Sequence, residues 1–118
     1  MKPKQAADFA DRWIEAWNTH DLDQILSIYA DDFEMSSPVI KKWGLSQNGK
    51  LLGKAVIGGY WRKALQLLPN LRFELLAVWV GVDTITLQYK STHGGLTAEV
   101  FHFNKVGLVD WARAHHVQ

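Results

Sequence analysis

Glu99 and His116 are the side chains whose types and placing best suit proton transfer near neutral pH. In AEVFHFN, Glu99 alternates with Phe101 and Phe103, so the three share one face if the run is a strand. If Asn104 and Gly107 bracket the following turn, Phe103 stands opposite Leu108, Phe101 opposite Asp110 and Glu99 opposite Ala112. Ala114 and His116 then continue the same face. Alanines facing a carboxylate leave room for a ligand. A carboxyl in such an apolar space has a raised pKa and can serve as acid or base. The other reading pairs Glu99 with Lys90 across the preceding hairpin, a register that the Gly94–Gly95 turn permits. His116 could shuttle protons with Glu99 or Asp110 as its partner. It also lies in a terminal HHVQ of the kind that frays into solvent.

The remaining ionisable residues carry less. His115 and His116, adjacent on a strand, point to opposite faces and form no metal site, while His93 on a turn and His20 at a helix end read as solvated. There is no HExxH and no clustered His/Asp spacing, so no metal is expected. Asp31 and Asp32 look like paired catalytic carboxylates. Between a helix and a strand, however, aspartates favour turns and bond local backbone. Without a GxSxG, a P-loop or a dinucleotide fingerprint, no cofactor is expected either.

The elements that must position these groups change character along the chain. Lys4 to Asn18 reads as a helix with Phe9, Trp13 and Trp17 at i, i+4 and i+8. DLDQILSIYA reads as a second, short helix capped by Asp21, and Phe33 to Ser36 as a brief strand ending before Pro38. Val39 to Gly53 has three glycines and few apolar anchors, and reads as an irregular, functional or mobile loop. Lys54 to Leu68 is a third helix, stopped by Pro69. LRFELLAVWV, TITLQYKST, LTAEVFHFN and LVDWARAHH then read as four strands joined by the short turns GVD, HGG and NKVG. Helices followed by an antiparallel meander make an α+β fold, three helices covering one face of a curved sheet.

Length and composition fit a single domain over residues 1–118. A net charge of +1 with no basic stripe gives no support for nucleic acid as a partner. No run of about 18 apolar residues exists to cross a membrane. Lacking cysteine and an apolar signal core, the chain reads as cytoplasmic. Its six tryptophans exceed what so short a chain needs for a core and are candidates for a ligand pocket or a subunit interface.

ADRWIEAWNTHDLDQILSIYADDFEMSSP, with GKAVIGGYWRKAL and the closing FHFNKVGLV, resembles the nuclear transport factor 2-like superfamily, in its SnoaL-like and ketosteroid isomerase branch. The resemblance covers essentially the whole chain and implies a cone-shaped, mixed or antiparallel sheet with helices enclosing a pocket. Ketosteroid isomerases carry an oxyanion-donor tyrosine on the first helix, and Trp13 stands at the matching position. Their general-base aspartate precedes a proline, where this chain has Ser37. Their second donor, a protonated acid on a central strand, matches Glu99, and two supporting tyrosines match Tyr29 and Trp61. A serine hydroxyl cannot take a proton from carbon without a base of its own. Steroid isomerisation by the family route is therefore not expected.

Together these features describe a binder of a small hydrophobic or aromatic molecule. Trp13, Trp17, Tyr29, Phe33, Ser37, Trp61 and Phe101 would line the pocket, with Glu99 and His116 as the proton-transferring groups of a cofactor-free isomerase, cyclase or dehydratase. A non-catalytic binding or dimerisation module is the alternative. An epoxide hydrolase of the same fold would need an Asp–Arg–Asp constellation that the chain does not supply. Val100, His102, Val109, Trp111 and Arg113 would form an apolar strip on the outer sheet face, which a second copy of the chain would cover. The resemblance implies the same homodimer.

Overall fold

Pro3 opens the first helix where its missing N–H is no loss, and the helix α1 (Pro3–Asn18) buries Ala6, Phe9, Ala10, Trp13, Ala16 and Trp17 along one face. The computed structural model describes residues 1–118. After α1 come α2 (Leu22–Leu26), β1 (Tyr29–Ser36), α3 (Pro38–Lys42), β2 (Lys50–Leu52) and α4 (Lys54–Leu67). The strands β3 (Phe73–Val80), β4 (Thr84–Ser91), β5 (Leu96–Phe103) and β6 (Val109–His116) complete the chain.

Asn18 ends α1 by clamping the start of β3. Its Nδ2 donates to the Phe73 carbonyl at 2.9 Å and its Oδ1 accepts from the Phe73 amide at 2.7 Å. His20 is not solvated as expected. It takes a left-handed backbone, φ 56°, and its Nε2 lies 2.8 Å from the Leu71 carbonyl. Asp21 caps α2 as expected, accepting from the Gln24 amide at 3.1 Å. That helix lasts one turn only, and at its end the Ser27 hydroxyl donates to the Gln24 carbonyl at 2.7 Å.

Tyr29 belongs to β1 rather than to α2, so the strand starts four residues earlier than the sequence indicates. Between the pairs Tyr29↔Val109 and Glu34↔Trp111 the strand bulges. Asp31 and Asp32 are exposed in that bulge, and Asp31 lies 3.7 Å from Lys54. The segment 39–53 is also more regular than its glycines indicate. Ser37 accepts from the Val39 amide at 3.2 Å and Pro38 takes the first position, which together start α3. β2 then pairs with the end of β1. Four helices, not three, accompany the sheet.

The curved sheet is mixed and unclosed, in the order β2-β1-β6-β5-β4-β3. β1 runs parallel to β6 and the other neighbours are antiparallel. Asn104 closes the β5–β6 turn, its Oδ1 accepting from the Val106 and Leu108 amides at 3.1 and 3.0 Å. A bulge beyond Phe103↔Val109 then leaves Asp110 as an extra residue. The register is consequently shifted from the expected one: Phe101 faces Ala112, Glu99 faces Ala114 and Thr97 faces His116. The same bulge turns Val109 into the core, fully buried, rather than onto the outer face. Glu99 does not pair with Lys90. It stands opposite Leu87 on the inner face, while Lys90 stands opposite Leu96 and is exposed.

Candidate active site

α1, α4 and the inner face of β4 and β5 enclose a cavity of about 220 Å³ whose lining is mainly apolar. That is smaller than the roughly 300 Å³ at which pockets for drug-sized ligands begin. Trp13 and Trp17 come from α1, Tyr60 and Trp61 from α4, and Tyr89 and Glu99 from the sheet. The i, i+4 spacing of Trp13 and Trp17 puts both on one side of α1, while Tyr60 and Trp61, adjacent on α4, both line the cavity. Strand alternation puts Leu87, Tyr89, Glu99 and Phe101 on the inner face.

Glu99 is 2% exposed. Tyr89 donates its hydroxyl to Oε1 at 2.7 Å. Burial raises the carboxyl from 4.5 to about 7, with the Tyr89 hydrogen bond pulling the other way. The Tyr89 and Tyr60 hydroxyls are pushed upward by their own burial first and by the Glu99 charge second. Near neutrality, then, the acid that holds its proton loosely is Glu99, not a phenol.

Trp13 is nearly fully buried and its indole N–H donates to the Tyr29 hydroxyl at 2.9 Å. Its donor is thus engaged inside the protein. Tyr29 and Phe33 pack in a tilted pair at 4.4 Å and both pack on Trp61, at 5.1 and 5.7 Å. Phe101 packs edge-on to Trp13 at 5.4 Å. Of the residues expected to contact a ligand, Trp13, Trp17, Ser37 and Trp61 reach the cavity. Tyr29, Phe33 and Phe101 are fully buried behind that wall and support it. Trp17 has the one buried side-chain donor with no partner, its Nε1.

His116 closes another part of the cavity. It is not frayed: β6 pairs through to it, and the Val117 amide donates to the Leu96 carbonyl at 3.0 Å. Its Nδ1 lies 3.1 Å from Thr97 Oγ1 and its Nε2 lies 3.4 Å from Ser37 Oγ. Neither Glu99 nor Asp110 is its partner. Asp110 lies on the outer face, 2.5 Å from His102 Nδ1. Desolvation first, and the neighbouring His115 second, hold His116 below the usual histidine pKa. His115 points outward, toward the Ala98 carbonyl at 3.3 Å.

Sequence reasoning passed over Tyr89, the partner of Glu99, and Thr97, which with Ser37 holds His116. The alternation Ile85, Leu87, Tyr89 was the available signal for the first. Thr97 shares the phase of Glu99 and Phe101. Tyr60, Trp43 and His93 were likewise not expected at the cavity, and Trp43 stands half exposed at its mouth, edge-on to Tyr60 at 6.0 Å.

The family description that matches the chain is that of the SnoaL-like domain, over residues 10–114. A SnoaL-like protein of unknown function from Burkholderia thailandensis is 46% identical, with 100% of this chain and 99% of that one covered and a TM-score of 0.95. A protein from Agrobacterium tumefaciens, provisionally named an isomerase of the SnoaL-like family, is 16% identical, with 98% and 99% covered and a TM-score of 0.76. A Sinorhizobium meliloti protein provisionally named a polyketide cyclase is 15% identical, with 98% and 100% covered and a TM-score of 0.74. The last two likenesses concern the fold alone. None of the curated proteins matches this chain.

Proposed function

The chain belongs to the SnoaL-like family, and on that premise we propose that it isomerises or cyclises a small, ring-containing carbonyl compound by acid–base proton transfer. The observation that carries this reading is Glu99, a carboxyl buried in an aromatic cavity and titrating at about 7. In its neutral form it donates a hydrogen bond to the carbonyl oxygen as an enol develops. His116, kept neutral by its lowered pKa, takes the proton from carbon. Thr97 and Glu99 share the inner face of β5 two residues apart, a separation of roughly 6.5 Å along a strand. His116 stands opposite Thr97. Acid and base thus stand on the same face of adjacent strands, two residues out of register, where they can address different atoms of one ligand. The aromatic walls and modest volume favour one or two fused rings.

Ser37, standing where the resemblance to ketosteroid isomerases implies a base aspartate, favours a second reading, a binding module without turnover. Deuterium exchange into a ring ketone such as 2-indanone, followed by NMR in D₂O, separates the two. The wild type should accelerate exchange over buffer, and Glu99→Gln should lose about 10²-fold or more of that rate. Exchange at the buffer rate despite ketone binding would establish the binding module instead.

A further inference from the structure

The Ser37–His116–Thr97 chain does not depend on Glu99, and its order is that of an activated nucleophile: hydroxyl, imidazole, orienting acceptor. We propose that Ser37 is an acyl-accepting nucleophile for activated aryl esters or thioesters of apolar acids, with His116 as its base and Thr97 as the group that sets the imidazole tautomer. Ser37 lines the cavity although it is only 8% exposed. Its Oγ accepts from the Val39 amide at 3.2 Å, which fixes the rotamer, and lies 3.4 Å from His116 Nε2. In the tautomer with the proton on Nδ1, that N–H donates to Thr97 Oγ1 at 3.1 Å and the Nε2 lone pair faces Ser37. Desolvation keeps the imidazole neutral and able to accept.

Ser37 Oγ forms a bond to the acyl carbon while its proton passes to Nε2. The tetrahedral adduct then expels the aryl oxide or thiolate, which leaves as such or takes the proton from Nε2. Where the leaving group departs unprotonated, Nε2 first gives its proton to solvent. Water then attacks the acyl-serine while its proton passes to Nε2, and collapse of the adduct returns that proton to Oγ, releasing the carboxylic acid and free Ser37. The Val39 amide is engaged by Oγ itself and is not free to hold the carbonyl oxyanion. For that reason the substrate must carry a good leaving group. The apolar walls select an apolar acyl chain.

The test is acylation by p-nitrophenyl butyrate, read by rapid-mixing absorbance and by mass spectrometry of the quenched protein. The expected result is a burst of p-nitrophenolate approaching one per chain and one butyryl group mapped to Ser37. Asparagine is as good an N-cap as serine but has no hydroxyl nucleophile, so Ser37→Asn should keep α3, seen by circular dichroism, and lose the adduct. His116→Asn should slow acylation by about 10²-fold. Butyryl mapped to His116 or to a lysine, or no adduct on the folded wild type, overturns the proposal; the wild-type map decides even if the variants misfold. The ketone-exchange reading is tested separately. An adduct without exchange, or exchange without an adduct, assigns the failure to one proposal and not the other.

Discussion

Glu99 has one hydrogen-bond donor, Tyr89, and no countercharge, and that balance sets its behaviour. Because its folded pKa is raised, the fold favours the protonated form. The associated stability is fully present below about pH 4.5, falls as pH rises toward about 7, and is constant above. The shift corresponds to roughly 3 kcal/mol. Denaturant unfolding between pH 4 and 8 should show this decline in the wild type, with Glu99→Gln losing most of it. Tyr89→Phe should raise the Glu99 pKa further, because the bond removed favours the carboxylate, and cost about 1–3 kcal/mol of stability. The inward phase of Glu99 was legible from its alternation with two phenylalanines. Its environment was not, because Tyr89 and Lys90 are adjacent in sequence and only the register decides which of them meets it.

Turns and bulges account for most of what the chain concealed. The helices α1 and α4 and all four strands of the meander follow from periodicity and stand within two residues of expectation. The α2–β1 boundary does not, since Ile28 and Tyr29 continue a helical pattern while Tyr29 pairs with Val109 across the sheet. The pairing of β5 with β6 depends on Asp110, an extra residue that no alternation pattern marks. Asn18 should prove structural: Asn18→Ala removes both bonds to Phe73 and should cost about 2 kcal/mol in chemical denaturation. Residues 43–49, which join α3 to β2 and include the half-exposed Trp43, should exchange amide hydrogens faster than β5. Equal protection would show that this connection is as rigid as the sheet.

The outer sheet face carries Val100, His102, Trp111 and Arg113, with Trp79 61% exposed beyond them. His102 stacks on Trp111 at 5.1 Å, and the Arg113 guanidinium lies 4.3 Å from the centre of the same indole. We propose that this face joins two copies of the chain, the partnership that the superfamily resemblance implies. Sedimentation at micromolar concentration should then give a dimer, and Trp111→Glu a folded monomer; a monomeric wild type would refute it. No helix is long and apolar enough to cross a membrane. The architecture was legible as a whole because helices precede strands so cleanly. The acid–base capacity of Glu99 was not, because it is set by the burial of that one group. Carbon-13 NMR titration of the Glu99 carboxyl, assigned by its loss in Glu99→Gln, measures that directly. A midpoint near 7 is the predicted result, and a midpoint at or below the ordinary value of about 4.3 would contradict the account.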